Sequence, residues 1–585
     1  MIEYRIGVAE TRSHQFTVAL AIADPAAGQT VSLPVWIPGS YLVREFARHL
    51  SPLMAEQDGR PVATRQIDKA SWRVASRAGA PLTLRYRVHA FDTSVRAAYL
   101  DAERGFFNGT GLCLRVHGCE AQPHAIELVD LPDGWQVATA MPRADGASAQ
   151  RYASAGYDEL VDHPFELGRF WRGEFKAAGV PHEFVVAGAL PDFDADRLLA
   201  DAQRICETQI AFWHGPFADA RPPFERYVFL LNTAEDGHGG LEHRASTALL
   251  AARRDLPRRG DEAADGAPPE GYVNLLGLIS HEYFHAWNVK RMRPREFARY
   301  DYTRENYTEL LWFFEGHTAY YDDLMLVRAG RLAPARYLKL LAKAASAVLA
   351  TPGRGVHSVA QSSFEAWTKF YRADENTPNA TVSYYAKGSL VALALDLTLR
   401  REGKGTLDEV MRALWQSSRG GPLDEADIAG ALEAVGARSY AAELKAWVHG
   451  TGELPLAALL AGAGVDWQAQ SATLAQRLGL RVSESALTGV RVSHVLRGGA
   501  AEQAGLAAGD ELLALGDWRL RRLDDALRLL VDDAPAPLLV ARDQRVLRLS
   551  ITLPAASSAV GAVALALADN ASPAALALRK AWLGG

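Results

Sequence analysis

Residues 274–289 read NLLGLISHEYFHAWNV, and the run His281-Glu282-Tyr283-Phe284-His285 inside them decides how the chain is read. The apolar run ahead of the motif predicts a helix. On a helix, residues four apart differ by only about 40° around the axis. Both imidazoles then point the same way and can hold one metal ion through neutral nitrogens. Glu282 stands beside the pair, a carboxylate placed to take a proton from water. Two histidines inside an apolar helix would otherwise bury polar nitrogens at a cost, so a metal accounts for them.

A two-histidine zinc site needs a third protein ligand, with one position left open. The next helical pattern, RENYTELLWFFEGHTAYYDDLMLVRAG (304–330), supplies Glu315, a lone carboxylate behind Trp312, Phe313 and Phe314. His317 lies two positions further, around the helix rather than on the same face, and is set aside.

Outward from this core the texture changes twice. Residues 1–165 read as strands: IEYRIGV (2–8), HQFTVALAI (14–22), TVSLPVWI (30–37), LTLRYRVHAF (82–91) and GLCLRVHG (111–118) alternate or run β-rich between Pro, Gly and Asp clusters. This predicts an all-β opening domain, a sandwich. From 166 to 465 comes an α/β-to-α domain. FDADRLLADAQRICETQIAFWHG (193–215) predicts a helix, ERYVFLLN (225–232) a buried strand and EDGHGGLEHRAST (235–247) a Gly-rich turn. RRDLPRRGDEAADGAPPEG (253–271) predicts an exposed polar loop, after which helices dominate. Residues 470–555 return to strands with one helix, DDALRLLV (524–531). An Ala-rich tail, 556–585, ends in PAALALRKAWLGG (573–585), an amphipathic helix that would dock on the body. The fold class expected is a multidomain α+β protein.

Composition narrows the function. Of 585 residues, 49% are hydrophobic and 23% charged, an ordinary globular mix, and the formal net charge of −6 speaks against a dedicated nucleic-acid binder. Cys113, Cys119 and Cys206 are an odd set that builds no disulfide framework and reads as small buried hydrophobes. The start, MIEYRIGVAETRSHQF, has no apolar core of a secretory signal, which points to the cytoplasm. The nearest approach to a membrane span, VGAVALALADNASPAALAL (560–578), is interrupted by Asp569, Asn570 and Pro573, so no transmembrane helix is expected.

HEYFHAWNVKRMRP (281–294) followed by LWFFEGHTAYY (311–321) resembles the gluzincin metallopeptidases, in which the third zinc ligand is a Glu on the helix after the two histidines. More closely, the chain is similar to the PDZ-bearing glycyl aminopeptidase family, with VWIPGSYLVREF (35–46), FFNGTGL (106–112) and GGLEHRAST (239–247) agreeing as well. The resemblance implies a thermolysin-like catalytic domain at 166–465, one zinc ion per chain held by His281, His285 and Glu315, and Glu282 as the group that activates water. Gly239-Gly240-Leu241-Glu242-His243 resembles the G-x-M-E-N stretch of aminopeptidase N relatives, whose Glu binds the substrate's α-amine; here His243 stands in place of Asn. A carboxylate at an edge strand facing the zinc would pair with an ammonium and fix the chain end. Tyr384-Tyr385-Ala386-Lys387-Gly388 resembles the Y-x-K-G stretch whose Tyr donates to the oxyanion; Tyr385 is the donor by that match and Tyr384 the alternative.

Lys290, Arg291, Arg293 and Arg295 form a basic run after the motif helix, read as helix-end charge on a solvated face rather than as a substrate-carboxylate site. Asn288 either caps that helix or supports the ligands. The segment 470–555 resembles a PDZ domain, with Leu478-Gly479-Leu480 at the carboxylate-binding loop; the resemblance implies a groove for a C-terminal peptide, with the chain's own tail or plain packing as the alternatives. Three functions follow in order: a zinc aminopeptidase acting on peptides with a free N-terminus and, by resemblance, on small first residues such as Gly and Ala; a zinc endopeptidase or oligopeptidase; and a peptide-binding adaptor on an inactive peptidase fold.

Overall fold

The computed structural model describes residues 1–144, 150–215, 221–260, 268–556 and 561–584. The central part of the expected polar loop, 261–267, lies outside them. The chain forms two compact units, residues 1–306 with 418–422, and residues 307–417 with 423–585.

Four sheets build the first unit among the described residues. The largest has seven strands, in which Ile2–Glu10 pairs in parallel with His124–Val129 and antiparallel with Gln15–Ile22. Alternation drives it: in Gln15–Ile22 every second side chain (Phe16, Val18, Leu20, Ile22) is buried, as the two-residue period of a half-covered strand requires. The expected strand at 111–118 is instead a helical turn, Gly109–Leu112, and a two-residue strand, Arg115–Val116. Cys113, Cys119 and Cys206 are free and buried.

A five-stranded sheet follows, in the order Trp171–Ala177, Val180–Ala187, Tyr227–Ala234, Ser246–Ala252 and His238–Glu242. Its last member corrects the expected Gly-rich turn: His238–Glu242 is an edge strand, antiparallel to Ser246–Ala252. Gly237, Gly239 and Gly240 read as turn formers, yet neighbours occupy the space of a side chain at two of them: a Cβ on Gly237, just before the strand, would lie 2.9 Å from Leu250 Cδ2, and one on Gly240 would overlap the Glu282 carboxylate. Leu241 is buried in the same apolar core as the N-terminal sheets, so this sheet and the β domain share one core. By strand alternation Gly240 and Glu242 then face the opposite side.

Two helices back this sheet. Ala195–His214 starts at Asp194, whose side chain accepts from the Arg197 N–H. Glu270–Phe284 carries the motif and buries Leu275, Leu276, Leu278 and Ile279. Gln209 Nε2 donates to the Ser280 carbonyl at 2.8 Å and fixes the second helix on the first.

The second unit is largely helical. The stretch 304–330 is broken at Glu315 into Leu311–Phe314 and Gly316–Arg328. Tyr384–Glu402 begins at Ser383, whose hydroxyl accepts from the Ala386 N–H, and ends at Gly403 with φ 66°. Leu480–Ser485, Gly489–Val495, Glu511–Leu515, Trp518–Arg519, Pro535–Arg542 and Arg545–Thr552 form the PDZ-like sheet. The expected helix at 524–531 is a 3-10 helix, Leu523–Arg528. The tail holds a strand as well as a helix. Val563–Leu567 pairs with Val465–Ala469, so the PDZ-like sheet is inserted between two paired strands. Pro573–Leu583 buries Trp582, whose Nε1 donates to Tyr320 Oη at 2.9 Å. Among the described residues no helix is long and apolar enough to cross a membrane.

Candidate metal and peptide site

His281 lies in the last turn of its helix and His285 at its C-terminal cap, with ring centroids 4.7 Å apart. The Asn288 backbone carbonyl lies 2.8 Å from His285 Nδ1. A carbonyl only accepts, so Nδ1 carries the proton and Nε2 keeps its lone pair for a metal. Asn288 therefore supports the motif through its backbone carbonyl. The loop that aims this carbonyl is strained: Val289, β-branched, holds φ 101°, and its N–H is tied to Met292 O at 2.7 Å.

Glu282 is buried, and its carboxylate lies directly over the backbone of Gly240 on the edge strand. Two residues along the same strand face, Glu242 is also buried; its carboxylate rests on Gly39 of the N-terminal domain. Arg96 Nη2 donates to the Gly240 carbonyl at 3.0 Å, and Gly239 holds φ 159° with Arg96 beside it.

Glu315 interrupts its helix with a buried carboxylate behind three fully buried aromatic residues. Gly316 and Gly388 touch backbone to backbone: a Cβ on Gly316 would lie 2.6 Å from Gly388 Cα. That approach sets Tyr385, three residues before Gly388, near Glu315. Burial and then the Glu315 charge push the Tyr385 phenol well above its usual range, so it stays protonated and able to donate. Tyr384 is fully buried beneath Tyr385, with ring centroids 4.6 Å apart, whereas Tyr385 keeps part of its surface open. His317 is buried against Phe313 and Trp312, and burial lowers its pKa to about 3.

Among the described residues, one group of three side chains could hold a metal ion: a nitrogen of His281, a nitrogen of His285 and an oxygen of Glu315 lie within 4.8 Å of one another. Two imidazoles and one carboxylate are the donor set of an open zinc site, and the His285 tautomer suits it.

Two features went unread in the sequence. Lys290 is not on a solvated face: it is 4% exposed and pairs with buried Asp162 at 2.7 Å. Although burial opposes it, Lys290 and Arg244 hold the Asp162 carboxyl well below the usual range. His243, which follows Glu242, is 3.3 Å from the same carboxylate, and burial lowers its pKa. Arg291 donates to the Arg244 and Ala286 carbonyls. The second is Gly39, present in the sequence only as part of a resemblance.

In the PDZ-like sheet, Leu478 and Leu480 are buried in its apolar core. Gly479 holds φ 70°, and its carbonyl accepts from the Leu496 N–H at 2.8 Å. Leu480–Ser485 is an edge strand.

Comparison with known proteins agrees with this architecture. The Peptidase M61 N-terminal domain model matches residues 3–169, the M61 glycyl aminopeptidase model residues 274–391 and the PDZ domain model residues 467–531. The crystal structure of an aminopeptidase N family protein from Idiomarina loihiensis is 36% identical and superposes with a TM-score of 0.91 over 100% of both chains. An M1 zinc metallopeptidase from Deinococcus radiodurans, solved as a mutant bound to a Tyr-Ser-Ala substrate, is 13% identical over 78% of this chain and 94% of its own, with a TM-score of 0.48. Legionella pneumophila aminopeptidase A is 11% identical over 94% of this chain and 56% of its own, with a TM-score of 0.47. No curated protein matches the chain significantly. The M61 match and the full-length likeness define a zinc metallopeptidase of the aminopeptidase class. Within that class the chain belongs to the PDZ-bearing M61 glycyl aminopeptidase family.

Proposed function

We propose that the protein removes single small residues, Gly or Ala, from the free N-terminus of peptides, with one zinc ion held by His281, His285 and Glu315. One observation carries the reading: Gly240, over which the Glu282 carboxylate lies, and Glu242 share one face of an edge strand. At about 3.3 Å of rise per residue, anchor and base stand roughly 7 Å apart along the strand. An α-amine and its carbonyl carbon are about 2.5 Å apart through two bonds, so that spacing fits one residue with a hydrogen bond at each end. An ammonium held at Glu242 puts the first peptide bond beside Glu282, which favours exopeptidase over endopeptidase action.

When bound, zinc supplies Lewis acidity toward water and toward the scissile carbonyl. The chain's own groups do the rest. Glu242 pairs with the substrate ammonium and sets the register. Glu282 accepts a proton from the attacking water and returns it to the leaving amine. Tyr385, held protonated, donates to the developing oxyanion. The edge strand Leu480–Ser485 offers a C-terminal peptide a partner for strand addition.

The test compares Gly-, Ala- and Leu-anilides on zinc-loaded protein and on Glu282→Gln. The proposal expects Gly and Ala to be preferred at least tenfold in kcat/KM, and all turnover to fall at least 1,000-fold in the variant. Equal rates on Leu-anilide would remove the small-residue preference, and an active Glu282→Gln enzyme would remove the base.

A further inference from the structure

The N-terminal domain reaches the amine end of the site through one turn. Ile37-Pro38-Gly39-Ser40 is closed by the Ser40 N–H donating to the Ile37 carbonyl at 3.0 Å. Pro38 in second place and Gly39 in third, with φ 92°, is the order a type II turn asks for. The turn is braced from several sides. Val35 N–H donates to Tyr302 O and Arg44 N–H to Val35 O, each at 2.8 Å. Arg44 Nη2 donates to Ser40 Oγ at 2.8 Å, and Trp36 Nε1 to Asp301 O at 2.8 Å. Trp36, Ile37, Ser40 and Tyr41 are all buried.

The tip of this turn meets Glu242. A Cβ built on Gly39 would stand 2.5 Å from Glu242 Oε1, 2.6 Å from Oε2 and 2.7 Å from Cδ. The whole carboxylate therefore lies against the bare Cα of Gly39, in a place where no other residue type leaves room for it. On the same strand Arg96, also from the N-terminal domain, holds the Gly240 carbonyl. The positive φ alone would explain a glycine; the carboxylate on its open side is a second and independent demand.

We propose that Gly39 is a positioning residue for amine recognition: the rigid Ile37–Ser40 turn is the surface that fixes the Glu242 carboxylate in the orientation that receives the substrate ammonium. The inference rests on Glu242 being the amine anchor. A Cβ at position 39 must push the carboxylate aside, and the loss should appear in binding of the free amine rather than in the chemical step.

The experiment measures KM and kcat on Ala-anilide, and the affinities of alaninamide and N-acetylalaninamide by calorimetry, for the zinc-loaded wild type and variants. Gly39→Ala should raise KM and the alaninamide Kd at least tenfold with kcat changed less than threefold. Pro38→Ala keeps Gly39 and the hydrogen bonds that brace the turn and places no atom over Glu242, so it should shift KM less than threefold. Glu242→Gln should raise KM strongly, and Gly39→Ala should add nothing in that background. Gly39→Ala combined with Glu242→Asp, which draws the carboxylate back by one methylene, should recover part of the affinity and serves if the single variant fails to fold. Unchanged KM in Gly39→Ala, an equal loss in Pro38→Ala, or a double variant no better than Gly39→Ala would overturn the positioning role. Glu242→Gln with an unchanged KM, or alaninamide bound no better than its acetylated form, would instead overturn the anchor reading, and the role of Gly39 with it.

Discussion

The Cα of Gly240 is pressed against the Glu282 carboxylate so closely that any side chain on residue 240 would overlap its Oε1, Cδ and Cγ atoms. The strand thus acts as a wall that fixes the carboxylate on the motif helix. Gly240→Ala leaves the ligands untouched but must displace the carboxylate, and a misplacement of about 1 Å can cost about 100-fold in rate. The variant should lose about 100-fold in kcat with zinc content and thermal midpoint close to wild type. Stopped-flow or steady-state kinetics beside metal analysis would decide it, and an unchanged kcat would mean the wall is not needed.

Lys290 and Asp162 form a buried pair against His243, the residue that follows the Glu242 strand. Removing Lys290 leaves the buried Asp162 carboxylate with Arg244 as its remaining cation, so the loss is smaller than the roughly 3–5 kcal/mol of a wholly unpaired buried charge. Lys290→Met should lower the denaturant midpoint accordingly. Lys290→Met with Asp162→Asn should regain much of it, because no lone charge remains. Equal midpoints for single and double variants would show that the pair contributes packing alone.

Acid should destabilise the protein through buried histidines. Burial lowers the pKa of His163 and of His182 to about 4, against about 6.5 in an unfolded chain. Between these values the unfolded state binds more protons, so stability falls as pH drops from 6.5 through 4 and levels off below. Each group's share is about 3 kcal/mol. Urea midpoints at pH 7, 6, 5 and 4 should trace this fall. His182→Gln, which keeps a polar group near Tyr283 but cannot titrate, should make the profile shallower by about one proton; a profile unchanged by that variant would contradict the assignment.

Much of the motif region was legible because it obeys local rules. Apolar spacing marked the 274–284 helix, and a lone carboxylate behind three aromatics marked Glu315. What was not legible depends on distant partners. His238–Glu242 carries turn-forming glycines, and only the distant Glu282 carboxylate explains why the strand needs Gly240. Lys290 sits in a basic run that reads as solvated, and its partner Asp162 lies far upstream. Pro38-Gly39 reads as a turn from any sequence, but nothing local says that a carboxylate about 200 residues further along, in the next domain, rests on it. The strand Val563–Leu567 hid in an Ala-rich tail because its pairing partner precedes the whole PDZ-like sheet.

Backbone contact between Gly316 and Gly388 holds the Glu315 helix against the Tyr385 helix. A Cβ on Gly388 would lie 2.7 Å from Trp312 O and 3.0 Å from Gly316 Cα, with no flexible side chain to yield. Gly388→Ala should cost about 1–3 kcal/mol, the usual range for overpacking. Because the helix that must move carries Glu315, zinc affinity measured by chelator competition should fall at least tenfold. Loss of stability with unchanged zinc affinity would separate Glu315 from the metal.

The central claim is that a free α-amine, held by Glu242, directs cleavage after the first residue. The most direct measurement compares hydrolysis of Ala-anilide with N-acetyl-Ala-anilide by the zinc-loaded wild type and by Glu242→Gln. The account predicts turnover of the free-amine substrate only, with KM raised sharply by the substitution. Comparable turnover of the acetylated substrate by the wild type would contradict it and identify an endopeptidase.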